Sequence, residues 1–132
     1  VGIAQACLDT AVEFAEGHEM FGRRLADNQL VSHKIADMAT RIEASRLLTL
    51  RAAMLKDAGA PHSRQASMAK LSASEIANDA ARMALEIHGG AGIGRQSPIE
   101  RLFRDAKICE IYEGTSQIQR LVIARHVRPD RS

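Results

Sequence analysis

The amino-acid sequence predicts an all-α protein, an up-and-down four-helix bundle, on three observations. Apolar residues recur at the three- and four-residue spacing of a helix through most of the 132 residues, and no segment keeps the period of two that strands require. Apolar residues make up 45% of the chain, mainly Ala, Leu, Ile and Met, whose side chains favour helix. No repeat of solenoid period and no low-complexity stretch interrupts the pattern.

The first half of the chain is predicted to contain two helices joined by a polar connector. The first helix spans residues 1–16 and stops at Gly17, a residue that favours helix ends. The second spans residues 29–57, and Asp27 or Asn28 is its N-cap. Its predicted apolar face comprises Val31, Ile35, Met38, Ile42, Leu47, Leu50 and Met54.

A third long helix and a short fourth one are predicted in the second half. The third covers residues 62–87 and carries many Ala residues, which allow close approach between helices. Four glycines in residues 88–94 then stop it. Ser97, Pro98 and Glu100 have the spacing of a capping box, so the fourth helix begins there.

The last predicted helix begins near Thr115 or Ser116 and continues to Val127, with Pro129 ending it. Its packing residues are predicted to be Ile118, Leu121, Val122 and Ala124.

Charge and composition disfavour several classes of function. The 18 basic and 16 acidic residues are mixed along the chain, so no basic stripe predicts nucleic-acid binding. No apolar run has the length of a membrane span, and no signal-peptide pattern is present, so we expect neither membrane insertion nor secretion. Cys7 and Cys109 are far apart and the histidines lack ligand spacing, so no metal site is predicted.

Glu113 is the first candidate for chemistry, because this carboxylate lies just before a predicted helix start and beside Gly114. A carboxylate held among apolar groups can act as a base. The alternative is a solvated acid favoured by the helix N-terminus. Both interpretations are open on spacing alone.

Two further segments have a functional and a purely structural interpretation. The spacing Gly90-x-Gly92-x-Gly94 resembles a dinucleotide loop, but a helix precedes it where that motif needs a strand. It is therefore a helix end or a backbone that approaches a ligand closely. Residues 21–24, Phe-Gly-Arg-Arg, are an interhelix loop or an anion-facing one.

These same segments resemble the acyl-CoA dehydrogenase family. Residues 104–120 have the order R-D-A-K-x-x-x-I-Y-E-G-T-S-Q-I-Q-R, which is similar to the family's C-terminal signature. Residues 88–92 match a second element, and residues 21–29 with residues 36–38 match the first. The resemblance extends over essentially the whole chain.

The resemblance implies a flavoenzyme with FAD as cofactor that oxidises an acyl-CoA to the 2-enoyl-CoA. In that family the glutamate of the Y-E-G-T motif removes the α-proton while a hydride leaves the β-carbon for the flavin, which maps the base to Glu113. Tyr112 and Gly114 are then expected at the substrate. The residues expected to contact FAD are Gln29, Gly90, Thr115 and Gln117, together with the positions of His18 and Glu86.

Those last two positions depart from the family pattern. His18 stands where an Arg usually contacts the FAD pyrophosphate, and a neutral His is a weaker partner for an anion. Glu86 stands where a Gln is usual, and a carboxylate beside phosphates repels them unless it is turned away or protonated. We expect both changes to weaken the contact between subunits at FAD, with Arg23 or Arg24 as candidates to compensate.

The resemblance also implies a molecular context. We expect residues 1–132 to form one helical domain, the C-terminal domain of a longer enzyme. The enzyme is expected to be a homodimer or homotetramer that passes electrons to an electron-transfer flavoprotein or similar acceptor, in bacterial cytoplasm or the mitochondrial matrix. Two alternatives are a non-catalytic helical assembly module and an acyl-CoA or nitroalkane oxidase. Glutamate rather than aspartate at position 113 favours the dehydrogenase.

Overall fold

Helices account for most of residues 1–128, the part of the chain that this computed structural model describes. The all-α prediction is therefore confirmed, whereas Pro129, the predicted end of the last helix, lies outside the described residues. The helices are α1 (Gly2–Gly17), α2 (Gln29–Asp57), α3 (Ser63–His88), α4 (Gly90–Ile93), α5 (Pro98–Ile108) and α6 (Ser116–Val127).

Helix α3 is the central element of the bundle, because α1, α2, α5 and α6 all pack against it. Helices α2 and α3 are antiparallel. The Lys34 ammonium reaches the Glu86 carboxylate at 2.5 Å, and the Ser45 and Ser72 hydroxyls meet at 2.6 Å, so the residue numbers rise in opposite directions along the two helices. The loops therefore lie at the two ends of the bundle. Glu113 is at one end, and Glu86 and Gly90 are at the other.

Small side chains form much of the contact between α1 and α3. Ala4, Cys7, Ala11 and Ala15 are buried on α1 and face a row of buried alanines on α3. Side chains of this size allow two helix backbones to approach closely. Burial also raises the pKa of the Cys7 thiol to about 11, which keeps that thiol protonated and apolar in character.

The connector after α1 differs from the prediction, because it contains a small β-hairpin. Strands β1 (Glu19–Met20) and β2 (Arg23–Arg24) pair antiparallel around Phe21 and Gly22, whose φ values are 54° and 76°. Two successive positive φ angles are what a tight two-residue hairpin requires. Strands of two residues are too short to produce a detectable alternation in the sequence.

The predicted apolar face of α2 is wrong in its C-terminal half. Leu47, Leu50 and Met54 have exposed fractions of 58%, 53% and 71%. The side that faces the bundle instead carries Ser45 and Ala52, which are small enough to bring α2 close to α3. The prediction placed the larger apolar residues of this half against the bundle, whereas the smaller ones form the contact. Over its whole length α2 buries Val31, Met38, Ile42, Ser45 and Ala52.

Helix α6 shows a similar difference. Ile118, Leu121 and Ala124, predicted to pack it, are exposed, and Val122 is half-buried. The buried residues of α6 are Ser116 and Gln119, and the Gln119 amide bonds to the Glu113 and Gly114 carbonyls in the turn before the helix.

Only half of the capping box predicted at α5 is formed. The Ser97 hydroxyl accepts the Ile99 N–H at 3.3 Å, as an N-cap does. The Glu100 carboxylate does not return to the Ser97 N–H, which donates to the Gly94 carbonyl instead. Glu100 binds the Arg104 guanidinium at 2.7 Å, one helical turn along, and this contact lowers the pKa of the carboxyl.

Among the helices within residues 1–128, none combines the length and the apolar character that crossing a membrane would need.

Candidate functional site

Glu113 lies on an unusual turn between α5 and α6. Its φ is 56°, and that of Gly114 is 92°, so two consecutive residues are in the left-handed region. A non-glycine residue rarely adopts this conformation, and such outliers cluster at functional sites. Glycine is favoured at position 114 because L side chains rarely adopt a φ of 92°, and a Cβ there would also lie 2.8 Å from the Gln119 side-chain nitrogen.

Two side chains from neighbouring helices hold the turn in place. Lys70 on α3 donates from its Nζ to the Gly114 carbonyl at 2.7 Å. Gln119 on α6 donates from Nε2 to the Glu113 carbonyl at 3.2 Å and to the Gly114 carbonyl at 3.4 Å. The Thr115 hydroxyl accepts the Ile118 N–H at 3.4 Å and so caps α6. The strained conformation is therefore fixed by contacts on both sides.

A cleft of about 430 Å³ lies beside this turn. Glu113 and Tyr112 line one side of it, Lys70 and Cys109 contribute polar atoms, and Ala73, Ala77 and Ile3 are among its apolar residues. The Tyr112 hydroxyl is 3.9 Å from the Cys109 sulfur, and this hydrogen bond, more than the nearby Glu113 charge, raises the pKa of Tyr112. The structure thus brings the predicted base and the predicted substrate residues together.

A second group of predicted site residues lies at another end of the bundle. The His18 ring stacks on Phe14 at 3.7 Å between centroids, and Phe14 in turn stacks on His88 at 4.2 Å. This stack places His18 beside the C-terminus of α3, where Gly90 begins α4. Gln29, the exposed first residue of α2, belongs to the same end, because α2 and α3 run antiparallel.

The Glu86 carboxylate in this second group is already paired with two cations. Lys34 binds it at 2.5 Å and Arg82 at 2.6 Å, and these hydrogen bonds, Lys34 first, lower the pKa of the carboxyl. The carboxylate is ionised, yet the three side chains together carry one positive charge. A phosphate group approaching them therefore meets a weakly cationic surface.

The hairpin arginines differ from each other. The Arg24 guanidinium binds Glu16 at 2.8 Å and Asp27 at 3.2 Å, and the Asp27 contact is the main reason that its pKa is raised. Its charge is thus largely matched by carboxylates. Arg23 is exposed and forms no ion pair with another residue of the described part of the chain.

The predicted FAD residues consequently form two separate groups. Lys70, which holds the Glu113 turn, and Glu86 are about 24 Å apart along α3, since a helix rises about 1.5 Å per residue. Thr115 and Gln117 lie with Glu113, whereas His18, Gln29, Glu86 and Gly90 form the distant group.

The residues around Thr115 fit a polar, hydrogen-bonding cofactor. A polar cleft of about 370 Å³ at the start of α6 is lined by Gln117 and by two ion pairs, Lys107 with Glu110 and Arg120 with Glu75. Ser116 contributes a buried hydroxyl that has no hydrogen-bond partner among residues 1–128. A buried polar atom without a partner is costly, and a bound polar ligand can satisfy it.

Lys70 and Gln119 are the site residues that the sequence analysis missed. Gln119 lies within the matched signature, and its position one turn after the α6 start was the available signal. Lys70 is one of several charged residues on α3, so no local pattern distinguished it. Its partner is 44 residues away in sequence.

The bundle and the Glu113 turn together define the C-terminal helical domain of an acyl-CoA dehydrogenase, and the chain belongs to that family. Residues 1–128 match the family described as acyl-CoA dehydrogenase, C-terminal domain. A curated relative, the mitochondrial short-chain specific acyl-CoA dehydrogenase of Bos taurus, is 54% identical over 127 residues, which cover 96% of this chain and 31% of the relative.

Solved structures agree with this assignment. A chain from the electron transferring flavoprotein study of Acidaminococcus fermentans has a TM-score of 0.96 at 45% identity, covering 98% of this chain and 34% of that one. Butyryl-CoA dehydrogenase from Megasphaera elsdenii has a TM-score of 0.94 at 41% identity, and the match covers 96% of this chain and 33% of that one. The FAD complex of PigA has a TM-score of 0.91 at 31% identity, and the match covers 94% of this chain and 32% of that one. This chain spans about a third of the length of these relatives.

Proposed function

We propose that this chain is the C-terminal domain of an FAD-dependent acyl-CoA dehydrogenase and that Glu113 is its catalytic base. The observation that carries the proposal is the left-handed turn that places Glu113 beside a cleft, with Tyr112 lining the same space. A backbone conformation of this kind costs free energy, and it is retained here by hydrogen bonds from two helices.

In the proposed reaction the Glu113 carboxylate accepts the proton from the α-carbon of the thioester. The electron pair of that C–H bond forms the new double bond as a hydride leaves the β-carbon. FAD, when bound, supplies the acceptor for this hydride. Because Glu113 is exposed in this chain, the water around it must be displaced by substrate and by other parts of the enzyme, which makes the carboxylate a stronger base.

Two groups of residues are proposed to hold the cofactor. Thr115 and Gln117 at the start of α6 would contact the flavin that serves the Glu113 site, and Ser116 offers a free hydroxyl between them. His18, Gln29, Glu86 and Gly90 would contact the FAD of a neighbouring subunit. The distance of about 24 Å between the groups supports two contact regions, as does the positive charge that Lys34 and Arg82 contribute around Glu86.

Residues 1–132 are proposed as one domain of a longer chain that forms a homodimer or homotetramer. Exposed apolar side chains on α2 and α6, which no other element of residues 1–128 covers, support this context. The isolated domain should therefore self-associate.

Short-chain acyl-CoA thioesters are the proposed substrates, because relatives 54% and 41% identical are named for short-chain acyl-CoA and butyryl-CoA. An electron-transfer flavoprotein is the proposed acceptor, since similar chains come from an electron transferring flavoprotein study and from a reductase–Etf complex. The relatives include mitochondrial and bacterial proteins, so the matrix or the bacterial cytoplasm is the proposed compartment.

The experiment is anaerobic reduction of the complete enzyme by butyryl-CoA, followed by the bleaching of the flavin absorbance. The wild-type enzyme should bleach, and Glu113→Gln should retain FAD but react at least about 100-fold more slowly, the usual contribution of a positioned base. Glu43→Gln is the matched control, because that exposed carboxylate pairs with Arg46 at 3.2 Å on α2 and lines neither the Glu113 cleft nor the cleft at the start of α6. Normal bleaching of Glu113→Gln would remove Glu113 from the mechanism.

A further inference from the structure

We propose that Lys70 is a positioning residue for Glu113, an inference that rests on the proposed dehydrogenase function. The Lys70 ammonium group holds the Gly114 carbonyl and thereby fixes the turn on which Glu113 stands. The role concerns the geometry of proton removal and does not require that Lys70 touch the substrate.

The contact between Lys70 and Gly114 joins two distant parts of the chain. Lys70 lies in the second turn of α3, and its Nζ is 2.7 Å from the Gly114 oxygen, which belongs to the residue directly after Glu113. The Gly114 carbonyl also accepts a bond from Gln119, so both of its lone pairs are engaged. Rotation of the Gly114–Thr115 peptide unit would break both bonds. The same Gln119 amide also bonds the Glu113 carbonyl, so the two peptide units after Glu113 are held together and the backbone at Glu113 is restricted.

Lys70 has no competing partner among residues 1–128. It forms no ion pair there, although it is half-buried, and neither does Glu113. A lysine removed from water without a carboxylate needs a strong acceptor, and the Gly114 carbonyl at 2.7 Å supplies it. The ammonium is therefore committed to the turn and is not free to pair elsewhere on the surface.

The same lysine lines the cleft that Glu113 lines. Lys70, Tyr112, Cys109 and Glu113 all border the space of about 430 Å³. A displacement of the base by about 1 Å can reduce the rate of a positioned reaction about 100-fold. Loss of the Lys70 contact should therefore lower the rate of proton removal far more than it lowers substrate affinity.

The test uses the complete enzyme with the substitutions Lys70→Met, Lys70→Arg and Lys56→Met, the last being a matched control on an exposed lysine of α2. Three quantities are measured with butyryl-CoA: the limiting rate of flavin reduction, the substrate concentration for half saturation, and the isotope effect of α-deuterated substrate. Bound FAD and the thermal midpoint are recorded for each variant.

Lys70→Met should lower the limiting rate about 30- to 100-fold, change half saturation less than about three-fold, and increase the α-deuterium isotope effect, because proton removal becomes more rate-limiting. Lys70→Arg, which keeps a charged donor, should recover much of the rate. Lys56→Met should behave as wild type.

A wild-type rate and isotope effect in Lys70→Met would overturn the proposal. So would a lower rate that follows the loss of bound FAD with an unchanged isotope effect, since that result describes a merely structural lysine. If Lys70→Met does not fold, Lys70→Gln decides by the same criteria. Failure of the proposed function would be recognised separately, by a wild-type enzyme that butyryl-CoA does not reduce or a Glu113→Gln enzyme that it reduces normally.

Discussion

The two ends of α3 hold their surroundings by different physical means. Near its N-terminus, Lys70 fixes the Glu113 turn through a backbone carbonyl, and the geometry of that turn depends on a glycine. At its C-terminus, Glu86 is surrounded by exposed ion pairs that tolerate adjustment. The N-terminal end of α3 fixes the geometry of a turn, whereas the C-terminal end presents charged groups. Substitutions should therefore affect reaction rate at the N-terminal end and cofactor affinity at the C-terminal end.

The largest effect is expected from Gly114→Ala. A side chain at φ 92° is strained, and its Cβ would displace the Gln119 amide that bonds to the turn. We expect flavin reduction in the complete enzyme to fall about 100-fold and the free energy of unfolding to fall by about 1–3 kcal/mol. The control is Gly94→Ala in the turn after α4, where φ is −65° and the nearest atom allows a Cβ. If Gly94→Ala lost more rate than Gly114→Ala, the special role of the Glu113 turn would be contradicted.

A smaller effect is expected from removing the helix caps. Thr115→Val and Asn28→Ala each remove a side-chain acceptor at a helix start, and each should cost about 0.5–2 kcal/mol of stability. Only Thr115→Val should also slow flavin reduction, because its helix begins directly after the Glu113 turn and Thr115 is a proposed flavin contact. Equal rates in the two variants, measured beside their denaturation curves, would show that the turn does not depend on its cap.

Cofactor affinity should respond to Glu86→Gln at the opposite end. The substitution frees Lys34 and Arg82 from a carboxylate, so the dissociation constant of FAD should fall about two- to five-fold in low salt. The gain should shrink as salt rises, because the charges are exposed. Weaker FAD binding by the variant would instead mean that Glu86 orients the two cations. The lowered pKa of Glu86 predicts that its ion pairs persist at neutral pH and are lost only as the pH falls below the ordinary carboxyl range.

The smallest expected signal is a difference in thiol labelling. Cys109 borders the Glu113 cleft and is half-buried, whereas Cys7 is buried with a pKa of about 11. At pH 8 a thiol reagent should modify Cys109 alone, as read by peptide mass analysis, and butyryl-CoA should slow that modification. Because the pKa of Cys7 is raised, its thiol should stay protonated until the pH approaches 11. Rapid labelling of Cys7 in the folded enzyme would show that α1 opens.

The features that the sequence predicted correctly are local ones. The long helices follow from periodicity within a few turns, and the Ser97 cap follows from a single residue beside a helix start. Asn28 was one of two candidate caps, with Asp27 as the other. The position of Glu113 beside a helix start was also visible, although its assignment as the base came from the resemblance to a family.

The features that were missed depend on pairs of distant segments. Which side of α2 is buried was decided by the fit of Ser45 and Ala52 against α3, a property of two helices and not of one. Lys70 gained its role from a partner 44 residues away, which no local pattern contains. The hairpin at Phe21 was too short for its period to appear.

The position of α6 at the edge of the bundle has a consequence for inactivation. Helix α6 packs mainly on α3, whereas α1, α2 and α3 pack on one another. An edge helix with few buried side chains can detach while the remaining helices stay folded. On heating this domain by itself, the backbone amides of α6 should exchange with solvent before those of α1, so the Glu113 turn should lose its fixed geometry below the temperature at which the bundle melts.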